Sequence, residues 1–274
     1  MIPETHRDLA LPPLHPALEP YRSALREIAR PAWLLKCDKV DTVSRFETHI
    51  GGATPFVPAK DGWPICDKCG KPLTFVWQVD FADFAGIGSF TDRGLFQFFY
   101  CWDCFAWPPS EQYGCVRRWY PDFAADRMQE VAQVEAPRET IESRRTVEPC
   151  RVDRVPFLSV PAVSSPENPI PREAQNQMVS DEDGRLWSVH SFTEGFYLER
   201  QLISRIGGYP PWIQYEDDTP DCPACGRRAE FIGAIGSEDT GLLWGDSGYW
   251  YFFACSATAS CYGLARPLMT LHSR

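Results

Sequence analysis

The eleven cysteines of this chain include eight that form a duplicated frame. One copy reads CDKC followed by CWDC, and the other reads CPAC followed by CSATASC. The first quartet is Cys66, Cys69, Cys101 and Cys104, and the second quartet is Cys222, Cys225, Cys255 and Cys261. Cysteine pairs with this short spacing supply the thiolates of tetrahedral zinc sites. The sequence therefore predicts two structural Zn²⁺ ions, around which the chain must fold.

The sequence that surrounds the cysteines repeats as well. In both copies a Gly-Gly pair begins fifteen positions before the first cysteine, and residues 51–66 share six identities in sixteen with 207–222. The segment DRGLFQFFYC at 92–101 lies over DSGYWYFFAC at 246–255. Aromatic, alternating segments joined by a turn are typical of paired strands. We therefore expect an α+β, β-rich fold of two related lobes from an internal duplication, each a zinc-ribbon-like hairpin on a small sheet.

The fourth ligand of the second site has two candidates. Five residues separate Cys255 from Cys261, whereas two separate the corresponding pair of the first copy. The spacing favours Cys261 as the last ligand, with His272 as the alternative. A closed site of four thiolates is structural, because catalytic zinc keeps an open position beside His or carboxylate ligands. No such pattern stands beside either quartet, which argues against an enzyme.

The charge balance limits the choice of partners. The formal net charge is −10, and two filled four-thiolate zinc sites would bring it to about −14, since each adds −2. An acidic surface repels phosphate backbones and suits a basic protein partner. A nucleic-acid-binding ribbon would need a local basic face. The only modest candidates for such a face are Arg117, Arg118, Arg144 and Arg145.

Cysteine usage and hydropathy also bear on the compartment. The start of the chain has no basic region followed by an apolar run, and no stretch approaches the roughly 18 apolar residues that span a bilayer. We expect a cytoplasmic protein whose cysteines bind metal instead of forming disulfides. The three cysteines outside the quartets, Cys37, Cys115 and Cys150, are interpreted as small buried apolar residues.

The chain divides into four segments by composition. They are an N-terminal helix and strand at 1–45, a first zinc-binding repeat at 46–160, a Pro-rich linker at 161–185 and a second zinc-binding repeat at 186–274. Helical spacing predicts an amphipathic helix over 16–30, and a strand follows at 32–37. A strand at 152–161 contains prolines, which predict an edge position in its sheet.

Two further groups of residues are candidates for binding. Aromatic side chains beside the repeated glycines would line a groove for a partner: Phe56, Trp63, Tyr209 and Trp212, together with Gln214. The alternative is an enzyme or small-molecule binder with its site in a cleft between the two lobes. That site would use Gln78, Asp80, His190 or Gln214.

Several of these motifs resemble known families. RIGGYPPWIQ at 205–214 and WGDSGYWYFF at 244–253 resemble the YwqG-like family of bacterial proteins. The first copy, with CDKCGKPLTFVWQVDF at 66–81 and FQFFYC at 96–101, is similar to the C-terminal domain of the programmed-cell-death protein 2 family. Together the resemblances cover about 45–107 and 200–262.

These resemblances carry expectations about function. The YwqG-like family is largely uncharacterised, and some of its members look like immunity proteins that act beside bacterial toxins. The programmed-cell-death 2 relatives imply a dedicated chaperone for a newly made ribosomal protein, although this chain has two cysteine quartets and lacks their N-terminal zinc module. We therefore expect a non-catalytic, zinc-stabilised protein-binding module, chaperone-like or immunity-protein-like.

Overall fold

Ten of the described strands join into one antiparallel sheet in the computed structural model of the protein. The structure describes residues 4–11, 14, 16–84, 92–104, 114–124, 132–141, 146–162, 165–180, 184, 186–188, 204–214, 217–241, 243–258 and 260–273. The strands are β1 Arg30–Lys39, β2 His49–Ile50, β3 Thr74–Asp80, β4 Leu95–Tyr100, β5 Cys115–Tyr120, β6 Cys150–Ser159, β7 Met178–Ser180, β8 Leu186–Ser188, β9 Arg205–Gly207, β10 Glu230–Gly236, β11 Tyr249–Ala254 and β12 Leu268–His272. The expectation of a β-rich fold is confirmed.

The described helices are short and lie outside the sheet. They are α1 Glu4–Arg7, α2 Arg22–Ile28, α3 Arg138–Ile141, α4 Arg172–Gln175 and α5 Ser237–Thr240, with 3-10 helices at Pro16–Tyr21 and Phe81–Phe84. The helix predicted over 16–30 is therefore a 3-10 turn that continues into α2. Pro20 lies inside the 3-10 segment, where the missing N–H of proline is compatible with a break before the α-helix.

The sheet has the same succession of strands on both sides of its central pair. Its order is β12-β11-β10-β9-β1-β6-β2-β3-β4-β5, and β7 pairs only with β8 in a separate hairpin. At the centre, β1 and β6 pair along their whole length, from Arg30 opposite Ser159 to Lys39 opposite Cys150. The predicted N-terminal segment 1–45 thus supplies a central strand. One continuous sheet replaces the two small sheets that the sequence led us to expect.

The prediction that the prolines of this strand mark an edge is correct only locally, because β6 is central in the order of the sheet but pairs with β2 only near its start. Pro156 pairs with Trp33 of β1. On its other side, β6 pairs with β2 only at Cys150 and Arg151. The described strands leave the second side of Pro156 without a neighbour, so its missing N–H removes no ladder hydrogen bond there.

An aromatic core joins the two halves of the sheet. Phe98 on β4 lies with its ring centroid 5.8 Å from that of Trp250 on β11, and the Trp77 and Phe252 centroids are 5.6 Å apart. At the two edges, Arg117 of β5 contacts the sulfur of Met269 on β12 at 3.3 Å. The sheet therefore curls into a half-barrel. The space in which the sequence placed a cleft is largely filled by packed side chains.

The segment predicted as a linker is partly packed. Ile170 is buried in a cluster with Leu18, Leu25 and Leu158. Asn168 donates hydrogen bonds from its side chain to the carbonyls of 161 and 162, which closes the turn before α4. This part of 161–185 therefore covers the N-terminal helices instead of only connecting two units.

Two of the cysteines outside the quartets are linked to each other. Cys37 on β1 and Cys150 on β6 form a disulfide, with Cα atoms 5.4 Å apart. The interpretation of these two as free apolar residues is wrong. Residues 113 positions apart meet because the β1–β6 register makes Cys150 the partner of Lys39, two residues from Cys37. Cys115 is half-buried and is a free thiol.

The described residues contain no helix that is long and apolar enough to cross a membrane.

Candidate metal centres

The first cysteine quartet meets at one end of the β3–β4 hairpin. Cys66 and Cys69 precede β3, and Cys101 and Cys104 follow β4, so pairing of the two strands brings the four sulfurs together. All four Sγ atoms lie within 4.8 Å of one another, and those of Cys69 and Cys101 are 3.7 Å apart. A tetrahedral zinc site with Zn–S bonds of about 2.3 Å needs S···S edges of about 3.8 Å. The quartet therefore has the dimensions of a metal site.

The backbone of the CDKC turn is shaped to present two sulfurs on one side. The Cys66 N–H donates to the carbonyl of Lys71 at 2.8 Å, and the Gly70 N–H donates to the carbonyl of Cys66 at 2.9 Å. Gly70 has a φ of 71°, a conformation that L side chains rarely adopt. This is the physical reason for a glycine directly after the second cysteine.

The second quartet repeats this geometry at the end of the β10–β11 hairpin. Its four Sγ atoms also lie within 4.8 Å of one another, and those of Cys225 and Cys255 are 3.6 Å apart. The Cys222 N–H donates to the carbonyl of Arg227 at 2.7 Å, and the Gly226 N–H donates to Cys222 at 2.8 Å. Both quartets can therefore hold a metal ion of the same kind.

The structure distinguishes the two candidates for the fourth ligand of the second site. Cys261 lies in the cluster, because its loop folds back so that the Cys255 N–H donates to the Tyr262 carbonyl at 2.7 Å. His272 lies elsewhere: its Nε2 is 3.4 Å from a carboxylate oxygen of Asp218. The wider spacing of the last pair is thus accommodated by a longer loop with the same end points.

Several thiols of the two quartets have shifted pKa values. A hydrogen bond from the Lys71 backbone lowers the pKa of Cys69 to about 7, and one from the Tyr262 backbone lowers the pKa of Cys222 to about 6. Burial raises the pKa of Cys101, and burial raises that of Cys104 to about 11. Deprotonating all four sulfurs of the first quartet thus requires a compensating cation. A divalent metal with an affinity for thiolate supplies that charge.

An ion pair lies beside the first quartet. Lys71 forms an ion pair with Asp103 at 2.9 Å, and the Cys69 thiolate raises the pKa of Lys71 further after the larger effect of Asp103. A cation beside the thiolates offsets part of their charge. All four metal-ligating atoms come from cysteine side chains, so a bound tetrahedral ion would have no open position for substrate.

The aromatic residues predicted to line a groove are in two different environments. Phe56 is fully buried, and its ring packs against Tyr120 and Phe123 with centroids 5.2 and 5.0 Å away. Trp63 is also buried, with its indole N–H donating to the carbonyl of Leu73 at 2.9 Å. These placements correct the expectation of an open groove in the first copy, because both side chains are part of the core.

In the second copy the corresponding aromatic residues border a pocket. Tyr209 and Trp212 both line a cavity of about 180 Å³. The hydroxyl of Tyr209 donates to the carbonyl of Ile28 at 2.8 Å and lies 3.1 Å from Glu167. Gln214 is exposed, and its side chain donates to the carbonyl of Ser273 at 2.8 Å. The structure therefore brings Tyr209 and Trp212 together and leaves Gln214 on the surface.

The residues of the alternative cleft site are not gathered in one place. The amide of Gln78 is buried, where it donates to the carbonyls of Arg45 and Glu47 at 2.9 and 2.7 Å and accepts from the backbone of Phe56. Asp80 accepts from the backbone of Ala82 at 3.0 Å. Both side chains fix loops of their own half. His190 lies outside the described residues.

Gln97 is a hydrogen-bond partner of Gln78 that the sequence did not lead us to expect. Gln97 on β4 pairs with Gln78 on β3, and its amide nitrogen donates to Gln78 Oε1 at 3.0 Å and to the Phe56 carbonyl at 2.7 Å. The signal was present in the sequence, since each strand of the hairpin carries one glutamine among apolar residues. Their pairing anchors the loop that leads into the first cysteine turn.

The two described arginines among the four considered for a basic face both contact groups of the protein. Arg117 is half-buried, it contacts the sulfur of Met269, and burial lowers its pKa. Arg118 donates to the carbonyl of Asp61 at 3.2 Å and lies within 3.4 Å of the Tyr120 hydroxyl. Arg144 and Arg145 lie outside the described residues.

Comparison of the sequence with known proteins shows the family to which the chain belongs. The sequence model of a family described as a domain of unknown function (DUF1963) matches residues 48–257, which includes all of the first quartet and three cysteines of the second. No curated protein sequence matches the chain.

Proposed function

Since the chain belongs to the DUF1963 family, whose function is unknown, we propose a role from its geometry: a non-catalytic, zinc-stabilised module that binds a basic protein partner. The observation that carries this proposal is the closure of both cysteine quartets. Four sulfurs from the chain complete each tetrahedron, so a bound metal has no place for a substrate and serves to hold the fold.

Zinc is the metal that fits these sites best. Four cysteine sulfurs at the spacing of a tetrahedron favour Zn²⁺ over metals that prefer oxygen ligands or planar geometries. The lowered pKa values of Cys69 and Cys222 supply one readily ionised thiol in each quartet, from which binding of the ion can begin.

We also propose that the two halves are zinc-ribbon-like copies that arose by internal duplication. In support of this, aligned positions in the two halves make the same kinds of backbone contact. The β3–β4 ladder shifts register between Phe75 and Trp77, and the β10–β11 ladder shifts between the aligned Phe231 and Gly233. Isolated bridges at Ile65–Pro72 and at the aligned 221–228 close both cysteine turns.

The basic partner is proposed from charge. The formal net charge of −10 disfavours the electrostatic attraction to phosphate that a nucleic-acid-binding ribbon uses, and it favours association with a positively charged protein. A chaperone for a basic client and an immunity protein against a basic toxin both meet this description. The identity of a captured partner separates them.

Affinity capture tests the proposal. The tagged protein is isolated from its own cells at physiological salt, and co-purifying proteins are identified by mass spectrometry. We expect one stoichiometric basic protein whose recovery falls as salt is raised, because screening weakens attraction between exposed charges. Recovery of the bait alone under all salt conditions contradicts the proposal. A zinc-depleted sample is the control, since a specific partner must be lost with the fold.

A second candidate function rests on one specific observation. A pocket of about 260 Å³ lies where the two halves meet, beside Cys255. It is lined by Arg93, Trp119 and Pro121 from the first half and by Cys255, Ser256, Gly263 and Leu264 from the second. A small-molecule binder or an enzyme would use this pocket. A metabolite that raises the melting temperature of the wild type but not of Trp119→Ala would support that function.

A further inference from the structure

The pocket beside Tyr209 and Trp212 corresponds to a space that a large side chain occupies in the first half. The comparison rests on backbone contacts. The Leu73 N–H donates to the Pro64 carbonyl at 3.0 Å, and the Ala229 N–H donates to the Pro220 carbonyl at 2.9 Å. Counting back from the aligned first cysteines, Trp63 and Thr219 stand three positions before Cys66 and Cys222.

In the first half, an indole ring fills this space. Trp63 is only 9% exposed, and its ring packs edge-on against Phe99 with centroids 5.6 Å apart. Its ring N–H donates to the carbonyl of Leu73 at 2.9 Å. At this position the indole ring therefore packs against apolar side chains, and its N–H pairs with a backbone carbonyl.

In the second half, two smaller residues leave part of this space open, while Trp212 stacks on Phe253, the counterpart of Phe99, with centroids 5.9 Å apart. Thr219 takes the place of the tryptophan, and its hydroxyl turns back to Asp217 at 2.7 Å. Ala229 takes the place of Leu73 and lines the pocket of about 180 Å³. Among the hydrogen bonds of the described residues, none is made to the carbonyl of Ala229. Compared with the first half, the second half therefore lacks the indole ring but keeps the backbone carbonyl that would accept its N–H.

The walls of the pocket suit a planar aromatic ring. Trp212 and Phe231 are buried apolar walls, 7% and 6% exposed. Two guanidinium groups reach the pocket as well: Arg30, which lies 4.0 Å from the centre of the Tyr209 ring, and Arg228. Guanidinium groups stack on aromatic faces, with the strongest attraction to indole.

Carboxylates hold both guanidinium groups in position. Arg30 pairs with Glu167 at 2.6 Å, and Arg228 pairs with Asp217 at 2.5 Å. A ligand that carried a full charge would have to break one of these pairs, whereas a neutral ring can enter between them. The pocket therefore favours an uncharged aromatic group.

We propose that this pocket binds an indole-type ring, a neutral planar aromatic with a ring N–H, by taking the place that Trp63 fills in the first half. The ring N–H donates to the carbonyl of Ala229, and the ring faces contact Trp212 and the guanidinium groups. The ring comes either from a tryptophan side chain of a protein or from a free indole. The inference goes beyond the proposed function because it holds for both sources.

Ligand-observed NMR and calorimetry with the zinc-loaded protein test this site. The probes are free indole, N-acetyltryptophanamide and benzothiophene, which has the same shape without the N–H. We expect saturable one-to-one binding of indole with a dissociation constant on the order of 1 mM or tighter, as for a good ligand of this size. Benzothiophene is expected to bind roughly tenfold more weakly, because it leaves the buried acceptor unpaired.

Variants that fill the pocket provide the decisive comparison. Thr219→Trp is expected to weaken indole binding by roughly tenfold or more, because it supplies the ring within the chain at the position of Trp63 in the first half. Thr42→Trp makes the same change at an exposed position and must leave binding unchanged. Thr219→Phe adds a smaller ring at the same position and serves as the second variant if Thr219→Trp does not fold.

Each outcome decides the proposal. Binding of indole and of N-acetyltryptophanamide, both lost in the filled variants, supports a protein tryptophan as the source. Binding of free indole alone supports a small-molecule source for the same site. Absence of binding by both probes overturns the proposal, as does binding that persists in folded Thr219→Trp or Thr219→Phe. None of these results depends on capture of a basic partner. Affinity capture tests the proposed function, and the binding measurements test the pocket, so the two can fail independently.

Discussion

Phe98 on β4 packs edge-on against Phe252 on β11, with ring centroids 5.1 Å apart and an interplanar angle of 74°. These are aligned positions, each three residues before the third cysteine of its quartet. A second contact between the two halves joins their edge strands, from Arg117 on β5 to Met269 on β12. Because of these contacts, the two halves share one hydrophobic core.

Truncating this contact should destabilise the whole protein. Phe252→Ala removes a fully buried ring, and we expect it to lower the free energy of unfolding by about 3–5 kcal/mol in a single transition. Denaturant unfolding followed by fluorescence and circular dichroism measures this. Two separated transitions in the wild type would show that the halves fold independently. Zinc content should stay at the wild-type value, because Phe252 belongs to the central core cluster, whose described members include none of the eight quartet cysteines.

Loss of one ligand should remove one metal ion. Cys104→Ser is expected to reduce bound zinc from two ions to one per chain, and to cost on the order of 10 kcal/mol of the folding free energy that structural zinc supplies. Because the core is shared, both halves should lose stability. Metal analysis and thermal unfolding give the two readouts. Cys115→Ala, at a free cysteine outside the quartets, is the matched control and should keep both ions.

Two glycines with the same φ should respond differently to alanine. Gly51 and Gly62 both have a φ of 63°, but a Cβ at Gly51 would lie 2.2 Å from the carbonyl oxygen of Glu148, whereas one at Gly62 meets nothing within 4 Å. Gly62→Ala should cost only the left-handed backbone strain of about 1–2 kcal/mol. Gly51→Ala should cost several-fold more, because backbone must move as well. Equal losses in urea unfolding would contradict the close approach of the 51–52 turn to the backbone just before β6.

Acid should destabilise the protein through His49. Burial lowers the pKa of His49 from 6.5 to about 4, against a smaller opposite effect of its hydrogen bond to the Gly51 carbonyl. The folded state thus favours the neutral ring, so this contribution is complete above pH 6.5 and is lost as pH falls towards 4. We expect a loss of about 3 kcal/mol over that range.

His49→Asn isolates this effect, because asparagine can still donate to the Gly51 carbonyl but does not titrate. The variant keeps both cysteine quartets, so acid release of metal affects both proteins alike. The difference in unfolding free energy between wild type and variant should shrink between neutral pH and about pH 5. A constant difference would show that His49 does not titrate with folding.

Reduction of the disulfide should weaken the central strand pair. The bridge joins residues 113 positions apart, and closing a loop of that length stabilises the folded state by up to about 5 kcal/mol in the chain-entropy account. A phosphine reductant should lower the melting temperature of the wild type. The double variant Cys37→Ala with Cys150→Ala should be insensitive to it, and intact mass under non-reducing conditions checks the bridge directly.

Local features were predictable because they depend on neighbours in sequence. The strands around Phe75 and Phe231, the turns after Cys69 and Cys225 and the apolar face of α2 all follow from spacing and residue type. Long-range features were not. Residues 161–185 have the polarity and prolines of a linker, whereas the buried side chain of Ile170 shows that the described part of this segment is packed. Trp63 and Trp212 both follow a repeated Gly-Gly pair and both are buried, yet Trp212 also borders a pocket.

By itself, the sequence determined the two cysteine quartets, their hairpins and the matching of the two halves, since each depends on spacing along the chain. Only the tertiary structure decided that both halves share one sheet, with β1 and β6 at its centre. It also decided that Cys37 meets Cys150 and that Thr219 and Ala229 leave a pocket where Trp63 fills one. The reason is that strand order, and the volume left between packed side chains, depend on contacts between residues far apart in sequence.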